Sequence, residues 1–147
     1  LPSVKFNIEI KSKPEWDNLY TPSVNCFAKM VVDFIHLQKH PSLFCVQSFD
    51  TRALEEIHRL DSTIATAWLF ALPNGWKIGF KALSFRPTIM SPNYLVTRKA
   101  NVLQAHRLGI SVIPWTVNEE KEMKRLLALK VDGMITDYPD VLKALLK

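Results

Sequence analysis

The chain has 147 residues, 48% of them hydrophobic, with four Trp and a net charge of +5. That length and composition suit a single domain with a packed core, and no apolar run reaches the length of a membrane-spanning helix. The densest basic cluster, Lys121, Lys124, Arg125 and Lys130, is interleaved with Glu119, Glu120 and Glu122. It reads as a solvated helix face and argues against a nucleic-acid partner, while a basic protein still favours anionic ligands. Cys26 and Cys45 are too few for a disulfide framework or a metal cluster and are expected as buried free thiols. The chain begins at Leu1, without Met or a signal peptide, so an internal start is expected and the compartment stays open.

Phe6 to Lys11 alternates apolar and polar residues and reads as the first strand, with Ile8 and Ile10 on one face and Asn7, Glu9 and Lys11 on the other. An acid and a base on one face of a covered strand either neutralise each other or line a polar site. Ser12 to Thr21, with Pro14, reads as a loop. Ser23 is placed to cap a helix to about Gln38, with Phe27, Met30, Val31, Phe34, Ile35 and Leu37 as its apolar stripe. His40-Pro41 ends it. Leu43 to Ser48 is nearly all apolar, as in a strand buried on both faces. Asp50 or Thr51 then caps a helix carrying Leu54, Ile57, His58 and Leu60, and Thr63 to Ala71 is a third strand.

Pro73-Asn74-Gly75 marks a turn, and Trp76 to Leu83 reads as a short helix. Ala82 to Arg86 is expected as a short fourth strand, with Pro87 to Pro92 as loop. Asn93 to Leu108 reads as a helix with Leu95, Val102, Leu103 and His106, ended by Gly109. Ser111 to Val117 is a fifth strand. Asn118 is expected to cap the next helix, to about Leu129, with Glu119 and Glu120 in its first turn. Met134 to Thr136 is a sixth strand, and a last helix runs through Leu146. Six strand–helix units predict an α/β fold with parallel strands and right-handed crossovers. Four Gly leave no phosphate loop or dinucleotide fingerprint.

Polar residues collect where these strands end: Glu9 and Lys11, Gln47 to Asp50, Arg86, Trp115 to Asn118, and Thr136-Asp137. In parallel α/β folds that end holds ligands. Four stretches there, FNIEIKSK, VQSFD, G-(x)4-PWTVN and VDGMITDYPD, together resemble the glycerophosphodiester phosphodiesterase family. The resemblance implies a TIM (β/α)8 barrel. Residues 1–147 would form its C-terminal portion, strands three to eight. A barrel needs about 250 residues, so an N-terminal barrel segment is the implied partner, bearing the family's histidines and first carboxylates. His36, His40, His58 and His106 match neither family histidine and are expected to be surface or packing residues. The chain alone is therefore expected to be inactive and poorly stable.

By the same resemblance, the activity is metal-assisted hydrolysis of a small-molecule glycerophosphodiester to glycerol 3-phosphate and an alcohol, a step in lipid and glycerol metabolism. Glu9 matches a carboxylate ligand of the divalent cation, Ca²⁺ or Mg²⁺, which prefers oxygen donors; a plain salt bridge to Lys11 is its structural alternative. Lys11 matches the catalytic lysine that faces the phosphate. Trp115 matches the tryptophan at the mouth of the seventh strand, beside the glycerol or leaving group, with a core position as the alternative. Gln47 or Ser48 faces the lumen, and Phe49 walls the pocket. Thr136, Asp137 and Asn118 read as turn and cap residues. Two competing readings are a degenerate member that binds a phosphorylated ligand without turnover, and an unrelated open α/β interaction module.

Overall fold

The computed structural model describes residues 4–146. Two compact units divide the chain: residues 1–68 with 78–87, and residues 69–77 with 88–147. Each is described by itself.

The first unit is built on β1 (Phe6–Glu9), β2 (Phe44–Ser48) and the start of β3 (Ala65–Phe70). The strands are parallel, with Asn7 opposite Cys45, Glu9 opposite Gln47 and Ser48 opposite Trp68. Parallel neighbours need a crossover, and α1 (Val24–His36) and α2 (Thr51–Leu60) supply two of them. α1 buries Val24, Ala28, Val32 and Ile35, which recur at helical spacing and pack with Ile10, Val46, Ala53, Ile57 and Ile64 into one core. This rotates the expected apolar stripe. Met30, Phe34 and Leu37 face outward, and Phe27 and Val31 sit at the margin. Ser23 stands at the N-cap position of α1 without a capping side-chain bond, whereas Asp50 caps α2 by accepting the Arg52 N–H. α3 (Gly75–Ala82) confirms the short helix expected there.

In the second unit β4 (Ile89–Pro92) pairs in parallel with β5 (Ser111–Val112). The fourth strand therefore lies in the segment expected to be loop, and Ala82 to Arg86 is not a strand. Proline cannot donate to a ladder, and Pro87 and Pro92 punctuate this stretch. The ladder is nevertheless made through Ser111 N–H to Thr88 O and Ile113 N–H to Met90 O. The expected helix from Asn93 begins as a 3₁₀ turn, Tyr94–Val96, and only α4 (Lys99–Arg107) is α-helical. Leu95 and Leu103 are exposed, while Val102 and Ala105 make the buried stripe. Gly109 ends α4 at φ +72°, as a left-handed C-cap.

α5 (Glu120–Ala128) and α6 (Pro139–Leu145) close the second unit over Val117, Met123 and Leu126. Glu119, not Asn118, stands at the N-cap of α5. Met134 to Thr136 forms no assigned strand, but Ile135 donates to Pro114 O and accepts from Val117, so it runs beside the 114–117 segment. The basic cluster on α5 is not wholly solvated. Arg125 donates to Glu122 and to the carbonyls of Thr97 and Tyr94, which ties α5 to the 3₁₀ turn.

Of the two thiols, Cys26 is exposed, contrary to expectation, because it lies off the buried stripe of α1. Cys45 is half-buried, and burial pushes its thiol up to about 12 against a smaller opposing pull from Lys5.

Candidate active site

β1 and β2 end side by side, and their parallel register places Glu9 opposite Gln47. The Gln47 amide accepts from Asn7 Nδ2 at 2.7 Å and donates to Glu9 Oε2 at 3.4 Å. A row of neutral amides thus props one oxygen of Glu9. Lys11 Nζ lies 3.9 Å from its other oxygen, Oε1. The Lys11 side chain is 74% exposed and that of Glu9 26%. Such a separation is a loose, solvent-screened pair, so both groups keep capacity for a further partner.

Beyond Glu9 the chain turns. Ile10 N–H still reaches Gln47 O at 2.9 Å, and Ser48 Oγ donates to Ile10 O at 2.7 Å. Ser48 is fully buried in this role. Ser48 thus secures the backbone of β1, and Gln47 meets Glu9. The turn opens a cavity of about 500 Å³ lined by Glu9, Lys11, Lys13, Trp16, Phe49 and Asp50, among others. Glu9, Lys11 and Phe49, three of the expected site residues, share this cavity. Gln47 stands behind Glu9 and does not line it.

The far wall differs from the loop that the sequence predicts. Ser12 to Thr21 reads as a polar loop in sequence, yet it forms a 3₁₀ turn, Pro14–Trp16, that sets Trp16 against the cavity. Lys13 Nζ lies 4.6 Å from the Trp16 ring centroid, within cation–π range. Arg52 fastens this wall. Its guanidinium reaches Asp17 at 2.9 Å and Asp50 at 2.7 Å, while Ser12 Oγ donates to Asp50 at 2.9 Å. Burial alone would raise the Asp50 carboxyl. The hydrogen bonds from Arg52 and Ser12, with the guanidinium charge, outweigh it and hold Asp50 below the usual carboxylate range. The one advance signal was Pro14 followed by Trp16, since proline favours the first turn of a helix.

Trp115 lies in the second unit. Its indole N–H donates to Ser91 O at 2.8 Å, and Asn93 bridges to it in parallel register. Asn118, expected as a helix cap, instead clamps the following turn: its side chain accepts from Asp137 N–H and donates to the Asp137 carboxylate. Three of the four histidines have structural partners. His36 pairs with Asp61 at 2.7 Å, His106 with Asp132 at 2.8 Å, and His58 stacks on Phe85.

Glu9 has the right chemistry for a hard divalent cation, an oxygen donor on an open cavity. It has no company for one. Among the described residues no three His, Cys, Asp or Glu gather as a metal cluster, and Asp50 is engaged by Arg52. The described residues fit one ligand of a cation, not a complete site.

The sequence profile of the glycerophosphoryl diester phosphodiesterase family matches residues 1–141. The chain belongs to this family. It is 31% identical to a glycerophosphodiester phosphodiesterase of Bacillus subtilis over 116 residues, 71% of the chain and 40% of that relative. A solved structure from Silicibacter pomeroyi, of a protein assigned to the glycerophosphoryl diester phosphodiesterases, overlays with a TM-score of 0.79 at 26% identity. The overlay covers 96% of this chain and 50% of that one. A phosphodiesterase of Oleispira antarctica, solved with the product sn-glycerol-3-phosphate, overlays with a TM-score of 0.76 at 19% identity, over 95% and 54% of the two chains. These family structures are TIM barrels, and the parallel α/β chain described here corresponds to part of one. It spans about half the length of the proteins it matches.

Proposed function

We propose that the chain is part of a phosphodiesterase that hydrolyses glycerophosphodiesters to glycerol 3-phosphate and an alcohol. The observation that carries this reading is the Glu9–Lys11 pair at the mouth of the cavity, in a chain of this family. Lys11 offers an exposed ammonium where negative charge grows on the phosphoryl oxygens, the kind of stabilisation that a phosphoryl-transfer site needs. Glu9 offers one oxygen to Ca²⁺ or Mg²⁺, and Gln47 fixes that carboxylate from behind. A bound cation would polarise the phosphate as a Lewis acid; its other ligands would come from beyond these residues. Phe49 and Trp16 give the cavity apolar walls for the alcohol. Trp115, anchored on Ser91 O, takes the glycerol or leaving-group side by the family resemblance. A preceding barrel segment supplies the catalytic histidines.

A second reading, ligand binding without turnover, is favoured by one observation. His36, His58 and His106 are engaged away from the cavity, and among the described residues no histidine lines it. One assay separates the two readings: release of glycerol 3-phosphate from glycerophosphocholine by the 147-residue chain and by the chain with a preceding segment that completes the barrel. The completed protein is expected to turn over and the chain alone to be silent. In the completed protein Glu9→Ala lowers kcat/KM by about 100-fold, and Lys11→Met lowers it by about 10²–10³-fold. A completed protein that binds glycerophosphocholine but releases no product supports the second reading. Turnover unaffected by Lys11→Met removes Lys11 from the mechanism.

A further inference from the structure

We propose that the loop from Glu15 to Thr21 docks the cavity mouth onto the surface of a phospholipid bilayer. Leu19 and Tyr20 are consecutive large apolar residues that are 71% and 77% exposed. The loop that displays them is stiff. Trp16 O accepts the N–H groups of Leu19, Tyr20 and Thr21 at 3.0–3.1 Å, and Asn18, at φ 61°, donates to Thr21 O at 2.7 Å. Arg52 grips Asp17 at 2.9 Å and shares its charge between that acid and Asp50, while Glu15 at the start of the loop is exposed. A flexible loop could fold two such side chains onto the protein. This one is held so that they stay in water, giving up burial that would favour the folded state.

The cavity at the root of the loop, which Trp16 lines, names the partner. Trp16 and the exposed Phe49 lie at the cavity, with Lys11 and Lys13 beside them. Aromatic rings with one polar end, next to an aliphatic side chain and flanked by lysines, make the surface that settles at the headgroup level of a membrane. The lysines complement anionic lipids. Two apolar side chains and two ammonium groups give peripheral, reversible and salt-sensitive attachment. The inference stands apart from the chemistry at Glu9, because vesicle binding needs no turnover.

The test is co-sedimentation of the completed protein, the chain together with the preceding segment that completes the barrel, with vesicles of phosphatidylcholine, with and without phosphatidylglycerol. Binding to the phosphatidylglycerol vesicles is expected, weakening with salt. Leu19→Ser with Tyr20→Ser should weaken it by about tenfold, whereas Met30→Ser with Leu37→Ser, on the exposed face of α1, should leave it unchanged. Should the loop variant fold poorly, Tyr20→Trp gives a second readout: brominated lipid should quench its emission beyond that of the wild type. The proposal is overturned by an absence of vesicle binding at low ionic strength, which would point to a protein partner. It is equally overturned by binding that the loop variant retains or the α1 variant loses, or by no added quenching at Trp introduced at position 20.

Discussion

Lys11 and Glu9 do little for stability. Solvent-screened pairs at such distances contribute roughly 0–1 kcal/mol, so exchanging either partner should leave the fold nearly as stable. Asp61 is the contrary case. Hydrogen bonds from the Thr63 hydroxyl, His36 and the Thr63 backbone lower its carboxyl to about 2, against about 3.9 in an unfolded chain. A carboxyl depressed in the folded state stabilises above its unfolded value, and that contribution fades as pH falls through the folded one. The stability of the chain should therefore drop between about pH 4 and pH 2. Asp61→Asn should flatten this slope in urea midpoints taken at both ends of the window. Equal slopes in the two proteins would remove Asp61 as a source of acid sensitivity.

At the scale of elements, the best-read segments were those with one clear period. Phe6 to Glu9 alternates, Phe44 to Ser48 and Ala65 to Phe70 are mostly apolar, and α2 repeats at helical spacing. The expectation failed where backbone chemistry competed with pattern. Pro87 and Pro92 made a strand look like loop, and the outward Met30, Phe34 and Leu37 mimicked a core stripe. Asn118 carries the side chain of a cap but spends it on Asp137. The meeting of Glu9, Lys11 and Phe49 at one cavity was legible because strand ends and family motifs coincide there. Trp16, Asp17 and Arg52 were not, because their meeting depends on tertiary contacts 35 residues apart. α3 offers a sharp check. A Cβ at Gly79 would fall 2.5 Å from both Cδ1 and Nε1 of the buried Trp68. Gly79→Ala should cost about 1–3 kcal/mol by overpacking, read as a lowered chemical-denaturation midpoint. A neutral result would mean that Trp68 can yield.

For the molecule as a whole, the face around β1 matters most. β1 pairs with β2 on one side, and among the described residues no strand pairs its other side. Beside it Phe6 stacks on Phe44, with ring centroids 4.8 Å apart, and Phe34 meets Phe44 edge-on. These rings border a second cavity of about 460 Å³, and Met30 and Leu37 continue the exposed apolar surface along α1. An open strand edge beside such a surface invites pairing. The 147-residue chain by itself should therefore self-associate in light scattering after size exclusion, and a preceding barrel segment should make it monodisperse and raise its melting temperature. A stable monomer of the chain alone would count against that segment as the natural cover of this face.

The fastening of the cavity wall by Arg52 has one more consequence. Ser12 and Thr21 bound a stretch whose grip on α2 passes through Asp17 and Ser12, while Glu9 and Lys11 are set by the strand before it. The wall is therefore a cassette. Its length and side chains can be exchanged, by drift or by design, so long as an acid meets the guanidinium, and Glu9 and Lys11 need not move. Change in what the protein accepts can then proceed separately from change in what it does to it.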